Sequence, residues 1–170
     1  SLLHWNNFFF FFKKNFEKNK CVALDPMLHS IEEVNKIIEL ADKNETKLYF
    51  TKSNFIDEVW IDKPEREYSI IFNHPINYAG IDASNKVDQF VNELKSNNLD
   101  SYFLSSLDSI AWLLNIRADD ILHTPLAFSY LFISVENKPI LYLSIENLNT
   151  DLKNRLSIFL NLQPIEKIDN

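Results

Sequence analysis

A single glycine, Gly80, is the feature that most restricts what this chain of 170 residues can form. Loops that hold phosphate groups, including the Rossmann fingerprint, need several glycines, because only a residue without a Cβ lets successive backbone N–H groups approach a pyrophosphate. The composition therefore argues against a nucleotide site built on a glycine-rich phosphate loop or on a Rossmann fingerprint.

The overall composition is that of a folded, acidic protein. With 46% hydrophobic residues, a chain of this length buries roughly 70% of its unfolded surface. The formal net charge is −7, so neither nucleic acid nor an anionic membrane is expected as a partner. Cys21 is the only cysteine, which excludes a disulfide within the chain and favours a cytoplasmic location.

The first residues form a strongly apolar stretch that includes the run Phe8 to Phe12. Leu2 to Phe12 is too short to span a membrane, which takes about 20 residues in a helix. Its basic residues follow it, unlike those of a signal peptide. Aromatic residues at helical spacing predict a face buried in a core or interface, with a membrane-surface anchor as the alternative. Because residue 1 is Ser1, we expect a piece of a longer chain.

Residues 1–63 are predicted to contain alternating strands and helices. Strands are expected at Cys21 to Leu24 and at Leu48 to Phe50. Ser30 and Glu33 form a capping-box pattern, which predicts that a helix begins directly after Ser30. Asn54 is expected to cap a short helix. The residues predicted to face inward from the longer helix are Ile31, Val34, Ile38 and Ala41.

Residues 64–77 hold two prolines and mixed charges with no sustained period, and they are interpreted as a linker. Residues 78–170 then continue the alternation of helices and strands. Ser84 and Ser106 are predicted caps of two helices that flank a strand at Tyr102 to Leu104. The residues predicted to face inward are Val87, Phe90, Val91 and Leu94 in one helix, and Leu107, Ile110, Ala111 and Leu114 in the other.

The end of the chain predicts a hairpin and a last helix. Two runs rich in strand-forming residues, Phe128 to Val135 and Ile140 to Leu143, flank the turn at 136–139. Apolar positions of the last helix are Leu152, Leu156, Phe159 and Leu160. The order α-β-α-β-β-α predicts a three-layer α/β domain in residues 78–170.

No metal site or nucleophile is predicted. The four histidines, His4, His29, His74 and His123, have no companions at metal-ligand spacing, and no C-x-x-C or H-E-x-x-H pair occurs. Cys21 lies in an apolar run and is interpreted as a small core residue. Trp60 and Trp112 have apolar neighbours and are likewise assigned to the core.

The densest group of functional side chains comprises Arg117, Asp119, Asp120 and His123. Paired carboxylates can perform acid–base chemistry if burial separates their pKa values. The simpler interpretation is that Arg117 pairs with one aspartate while the other caps a turn. A carboxylate nuclease is disfavoured by the negative charge of the chain.

Around this group the stretch Leu107 to Pro125, LDSIAWLLNIRADDILHTP, resembles the middle domain of Xaa-Pro aminopeptidases, also called aminopeptidase P. Further blocks of that family are similar to Leu24 to Ser30, Ile56 to Pro64 and Tyr78 to Gly80. The usual Arg-Gly-Ser-Asp of the family is replaced here by Arg117-Ala118-Asp119-Asp120, and its Asn-Pro by Thr124-Pro125.

The resemblance implies a domain organisation. Long members of the family have two creatinase-like domains, followed by a catalytic domain that binds two divalent metals, usually manganese. Residues 1–63 would be the C-terminal part of the first creatinase-like domain, with residues 78–170 an incomplete middle domain. The implied fold is thus a three-layer creatinase N-terminal-like domain with a mixed sheet, preceded by part of a similar α/β domain.

The resemblance also implies a function. We expect the non-catalytic portion of a cytoplasmic Xaa-Pro aminopeptidase, which shapes substrate access and domain or dimer contacts and has no activity or cofactor by itself. Its implied partners are its own catalytic domain, proline-containing peptides and a second copy. Arg117, Asp119, Asp120 and His123 would belong to a loop at the substrate entrance. The alternative is a free-standing binding or assembly module, a gene remnant.

Overall fold

The computed structural model describes residues 20–169. It divides the chain into two units, residues 1–65 and 66–170. The run Phe8 to Phe12 and the helix predicted around it lie outside the described residues. In the described part of the chain, no helix has the length and apolar character that a membrane crossing requires.

The first unit contains two short parallel strands and two helices. Strand β1 (Cys21–Leu24) pairs with β2 (Lys47–Phe50), with Cys21 opposite Lys47 and Leu24 opposite Phe50. Helix α1 (Ile31–Lys43) connects the strands, and the short α2 (Phe55–Val59) follows them. A 3-10 turn at Pro26–Leu28 lies between β1 and α1. Both predicted strands and both predicted helices of this unit are confirmed.

Helix α1 begins with the predicted capping box. The Ser30 hydroxyl accepts a hydrogen bond from the Glu33 N–H at 3.3 Å, and the Glu33 carboxylate accepts one from the Ser30 N–H at 2.8 Å. The predicted inward face was wrong at its first position, because Ile31 is 82% exposed whereas Ile37 is fully buried. The two four-residue strands pack against the later turns of α1, and Ile31 lies in the turn before them.

The second unit contains four helices and six strands among the described residues. The helices are α3 (Ile76–Ala79), α4 (Ala83–Ser96), α5 (Leu107–Leu114) and α6 (Thr150–Phe159). The strands are β3 (Phe72–Asn73), β4 (Ser101–Leu104), β5 (Ile116–Arg117), β6 (Ser129–Ser134), β7 (Ile140–Leu143) and β8 (Asn161–Pro164). The 3-10 turns are Ile145–Asn147 and Ile165–Asp169.

Four of these strands form a mixed sheet in the order β4-β6-β7-β8. The pairs β4/β6 and β6/β7 are antiparallel, whereas β7 and β8 are parallel. The predicted hairpin is therefore confirmed as β6 and β7, and the predicted mixed sheet is present. Strand β8 was missed, because its sequence Asn-Leu-Gln-Pro has no alternating pattern and its proline is tolerated only at the edge of a sheet.

The core of the second unit lies between the sheet and its helices. Its fully buried residues include Ile110, Leu114, Ile116, Leu131, Ile133, Leu141, Leu143 and Leu156. Ile71, inside the segment interpreted as a linker, is also buried in this core. Strand β3, in the same segment, pairs with β5.

Two turns around α3 and α4 depend on particular residues. Gly80 ends α3 with φ of 77°, a region that side chains with a Cβ disfavour. Helix α4 is capped by Asp82, whose carboxylate accepts a hydrogen bond from the Ser84 N–H at 2.9 Å. The cap predicted at Ser84 was therefore wrong by two residues, because the shorter Asx turn at Asp82 starts the helix earlier.

Candidate functional site

The candidate loop, residues 115–128, begins at the carboxyl end of α5. Asn115 ends that helix in the left-handed conformation with φ of 52°, which asparagine tolerates better than most residues. Its side-chain amide donates to the carbonyl of Ile81 at 2.9 Å. The amide oxygen of the same side chain accepts a hydrogen bond from Lys86 at 2.8 Å. Asn115 thus ties the start of the loop to the segment before α4.

Lys86 is a buried cation at this helix end, with 3% of its surface exposed. Besides Asn115, its ammonium donates to the carbonyl of Trp112 at 2.7 Å and lies 4.2 Å from the centroid of the Trp112 ring. A positive charge at the carboxyl end of a helix is favourable because the helix dipole is negative there. Burial, and then the positive charge of Arg117, lowers the pKa of Lys86 from its usual value.

Arg117 also binds the end of α5. Its Nη1 donates to the carbonyls of Ala111 at 2.9 Å and of Ile116 at 2.7 Å. The predicted ion pair between Arg117 and a neighbouring aspartate was wrong, because the guanidinium is committed to two backbone carbonyls, one in the last turn of α5 and one just beyond it. Together, Arg117 and Lys86 neutralise the terminal carbonyls of this helix.

Asp120 closes the other half of the loop. Its Oδ1 accepts hydrogen bonds from the N–H of Ser69 at 2.6 Å and from the Ser69 hydroxyl at 2.7 Å. Its Oδ2 accepts one from the N–H of Phe128 at 2.8 Å. The Ser69 hydroxyl in turn accepts from the N–H of Asp119 at 2.7 Å. The carboxylate of Asp120 therefore holds the loop against the segment that precedes β3.

Asp119 and His123 remain on the surface of the loop, and both side chains are exposed. His123 has φ of 63°, and the turn around it is closed by a hydrogen bond from the Thr124 N–H to the carbonyl of Ile121 at 3.0 Å. The acid–base arrangement of paired carboxylates is not formed, because Asp120 is bound by backbone and hydroxyl donors while Asp119 points to solvent. The loop therefore presents one carboxylate and one imidazole to its surroundings.

Sequence reasoning found the charged loop residues but missed their partners. Ser69 and Lys86 lie far from Arg117 and Asp120 in sequence, and Asn115 belongs to no recognisable motif. The one sequence signal that could have indicated these contacts is that Asn115 and Lys86 are polar residues beside strongly apolar helix faces.

Three aromatic and thiol assignments to the core were wrong. Trp60 is 47% exposed and Trp112 is 59% exposed. Trp60 directly follows α2, which contributes no buried residue, and Trp112 falls between the buried positions of α5. Trp112 lines an apolar cleft of about 490 Å³ with Phe90 and Tyr102. Cys21 is exposed, and Leu24 is the only buried residue of β1.

The potential metal-binding side chains of residues 20–169 form no cluster. No group of three His, Cys, Asp or Glu side chains converges there in a way that suits a metal. A centre with two metal ions needs several such ligands, so these residues do not fit one.

Comparison with known proteins identifies the domain family of residues 62–170. Residues 62–170 match the family model described as the creatinase/prolidase N-terminal domain. A probable Xaa-Pro aminopeptidase P of Talaromyces marneffei is 34% identical over 153 residues, which are 89% of this chain and 23% of the relative. Aminopeptidase P2 of Arabidopsis thaliana is 30% identical over 86% of this chain and 21% of its own length. The chain thus spans about a quarter or less of the curated relatives it matches.

A solved structure supports the same fold. The X-prolyl aminopeptidase of Caenorhabditis elegans, described as a cytosolic enzyme with a di-nuclear active site, superimposes with a TM-score of 0.76. It shares 24% sequence identity, and the match covers 91% of this chain and 25% of that structure. The mixed α/β fold expected from the sequence is therefore confirmed.

Proposed function

Because this chain belongs to the creatinase/prolidase N-terminal domain family, we propose that it is the non-catalytic N-terminal portion of an Xaa-Pro aminopeptidase. Such an enzyme removes the N-terminal residue that precedes a proline. The proposal is supported by the relatives, in which the matching region is only 23% and 21% of the chain.

One observation carries the non-catalytic assignment: within the described range, no three potential metal ligands converge. The solved neighbour is di-nuclear, so a metal-dependent hydrolase of this kind needs a donor set that residues 20–169 do not provide. We assign the two divalent metals, manganese in this proposal, to a further domain of the same protein. The protein would act in the cytoplasm, as the neighbour is described to do.

The loop from Arg117 to His123 is proposed to face the substrate entrance. Lys86 and Arg117 fix its start through bonds to the end of α5, and Asp120 fixes its middle to Ser69. The exposed Asp119 and His123 would then meet the charged or polar groups of a proline-containing peptide. A rigid backbone under exposed charged groups suits the screening of peptide length, because the position of the charges does not adjust to each substrate.

A chimeric enzyme tests this role. The matching segment of the Talaromyces marneffei relative is replaced by this chain, and hydrolysis of Xaa-Pro peptides is measured. We expect Asp119→Ala and His123→Ala in the chimera to change KM for a long peptide, with KM for a tripeptide and kcat for both unchanged. Glu93→Gln, an exposed change on α4, is the control. Equal effects on long and short peptides, or none, would contradict the entrance role.

A second candidate function is assembly of two copies of the chain, either as a free-standing module or within the enzyme. Exposed apolar side chains at Phe55, Ile56, Val59 and Ile61 favour it, because apolar surface of this kind commonly marks an interface. Light scattering should then report a dimer that Val59→Asp converts to a monomer. A monomer at every concentration would exclude this candidate.

A further inference from the structure

A charged cleft of about 650 Å³ lies at the carboxyl ends of the parallel strands β7 and β8. Its walls include the last residues of both strands, Leu143 and Pro164, and the turn that follows β7. Ligands of α/β proteins commonly bind at the carboxyl ends of parallel strands, and the volume is within the range of roughly 300 to 1,000 Å³ of small-molecule sites. No residue of the loop 117–123 lines this cleft.

Charges of both signs line the cleft without neutralising each other. Arg66 contributes a guanidinium, and Glu146 and Glu166 contribute carboxylates. Of the ion pairs that the described residues form, none joins Arg66 to either glutamate. Oppositely charged groups around one cavity gain free energy when a ligand pairs with each of them.

The guanidinium of Arg66 is positioned by an aromatic ring. It lies 4.8 Å from the centroid of the Phe128 ring, within the range of a cation–π contact. A cation–π contact does not pair the N–H groups of Arg66 with a carboxylate. Several of the five N–H donors of Arg66 are therefore available to an anionic group.

Two of the uncharged polar side chains of the cleft, Ser144 and Asn147, are already paired. The Ser144 hydroxyl donates to the Asn147 side-chain oxygen at 2.6 Å. The Asn147 amide donates to the carbonyl of Tyr68 at 2.7 Å. These bonds fix the turn after β7 against the segment that carries Arg66. The turn is thereby held in place beside the charged groups that line the cleft.

We propose that this cleft binds a zwitterion of the amino-acid or short-peptide class. The ligand carboxylate pairs with Arg66, and the ligand ammonium pairs with Glu146 and Glu166. A ligand with only one charged end leaves part of the site unpaired, so recognition requires both. This inference does not depend on the proposed function, since it uses only the charges and shape of the second unit.

Titration of the whole chain with alanyl-alanine, followed by NMR of the backbone amides, tests the site. We expect saturable binding, with shifts at Tyr68, Glu146 and Glu166. N-acetyl-alanyl-alanine and alanyl-alanine amide, which each lack one charge, should bind about tenfold more weakly. Equal binding of the blocked peptides, or absence of binding at millimolar concentrations, would overturn the proposal.

Two variants assign each charge. Arg66→Met should weaken the dipeptide about tenfold and leave the affinity of its amide unchanged. The double change Glu146→Gln and Glu166→Gln should weaken the dipeptide equally and leave the N-acetyl peptide unchanged. Lys138→Met, at the opposite end of β7, controls for net charge, and amide spectra of the free variants confirm their folding. Variants that bind like the unmodified chain would overturn the assignment.

Discussion

Asp120 accepts hydrogen bonds from both the backbone N–H and the hydroxyl of Ser69, at 2.6 and 2.7 Å, across 51 residues of sequence. The segment before β3 is thereby fastened to the candidate loop. Because the second carboxylate oxygen binds the Phe128 N–H, the loop is also closed on itself. Asp120 therefore anchors the loop, whereas the neighbouring Asp119 is exposed.

Replacement of this anchor should destabilise the second unit. Asp120→Ala removes three hydrogen bonds to a carboxylate, and we expect the free energy of unfolding to fall by about 2–3 kcal/mol. Asp119→Ala is the matched control, since its carboxylate is exposed, and it should change stability by less than about 0.5 kcal/mol. Urea denaturation followed by circular dichroism measures both. Equal stability of the two variants would show that the Asp120 bonds contribute nothing.

The buried Lys86 should stabilise the same region from the other end of the loop. Lys86→Met keeps the aliphatic stem but leaves the Trp112 carbonyl and the Asn115 side-chain oxygen without their donor. We expect a loss of about 2–3 kcal/mol by the same denaturation assay. Lys95→Met, at an exposed position in the last turn of α4, should cost less than about 1 kcal/mol. An unchanged stability of Lys86→Met would mean that the cost of burying the ammonium cancels its hydrogen bonds.

The cap of α4 predicts a dependence on pH. The Ser84 N–H, and then the Ser84 hydroxyl, lowers the pKa of Asp82 below its ordinary 3.8. A carboxyl with a lowered folded pKa stabilises the protein above the unfolded value, and this contribution is lost as pH falls through the folded pKa. Asp82→Ala should cost about 1 kcal/mol at neutral pH and less at an acidic pH below 3.8.

Asp82→Asn separates the cap from its charge. Asparagine also caps helices, so this variant should keep most of the stability at neutral pH but show a weaker loss on acidification than the unmodified protein. Thermal denaturation at both pH values measures the difference. A cost of Asp82→Ala that stays constant into acid would contradict the assigned ionisation.

The packing of the first unit is tested within one helix. Ile37→Ala removes a fully buried side chain, and we expect a loss of about 2–4 kcal/mol. Ile31→Ala, on the same helix but 82% exposed, should cost less than about 0.5 kcal/mol. Hydrogen exchange of the α1 amides reads out this unit directly. Equal losses of stability in the two variants would contradict the burial of Ile37 and support the inward face that the sequence alone predicts.

The elements that sequence reasoning predicted correctly are those governed by near neighbours. The capping box from Ser30 to Glu33 spans four residues, and the β6–β7 hairpin is set by one turn between two strand-forming runs. Val34 and Ala41 of the predicted face do pack in the core, but Ile37 was missed because Ile31 and Ile38 complete an equally regular face. The strands against which α1 packs, and not the spacing itself, decide between the two faces.

The candidate loop was recognised by its residues and misread in its contacts. Arg117 and Asp120 are close in sequence, and opposite charges at that spacing favour a local pair. The helix end at Asn115 and the distant Ser69 offer each of them partners of fixed geometry instead. Such partners depend on tertiary structure, which periodicity and spacing do not encode. The family resemblance, by contrast, was readable because Leu107 to Pro125 is a long and uninterrupted stretch.

We propose that hydrolysis is performed outside this chain. The most direct measurement is release of the N-terminal residue from an Xaa-Pro peptide by the purified chain in the presence of manganese. We expect no release above that of a mock purification. Release that co-elutes with the chain and increases in proportion to its concentration would contradict it.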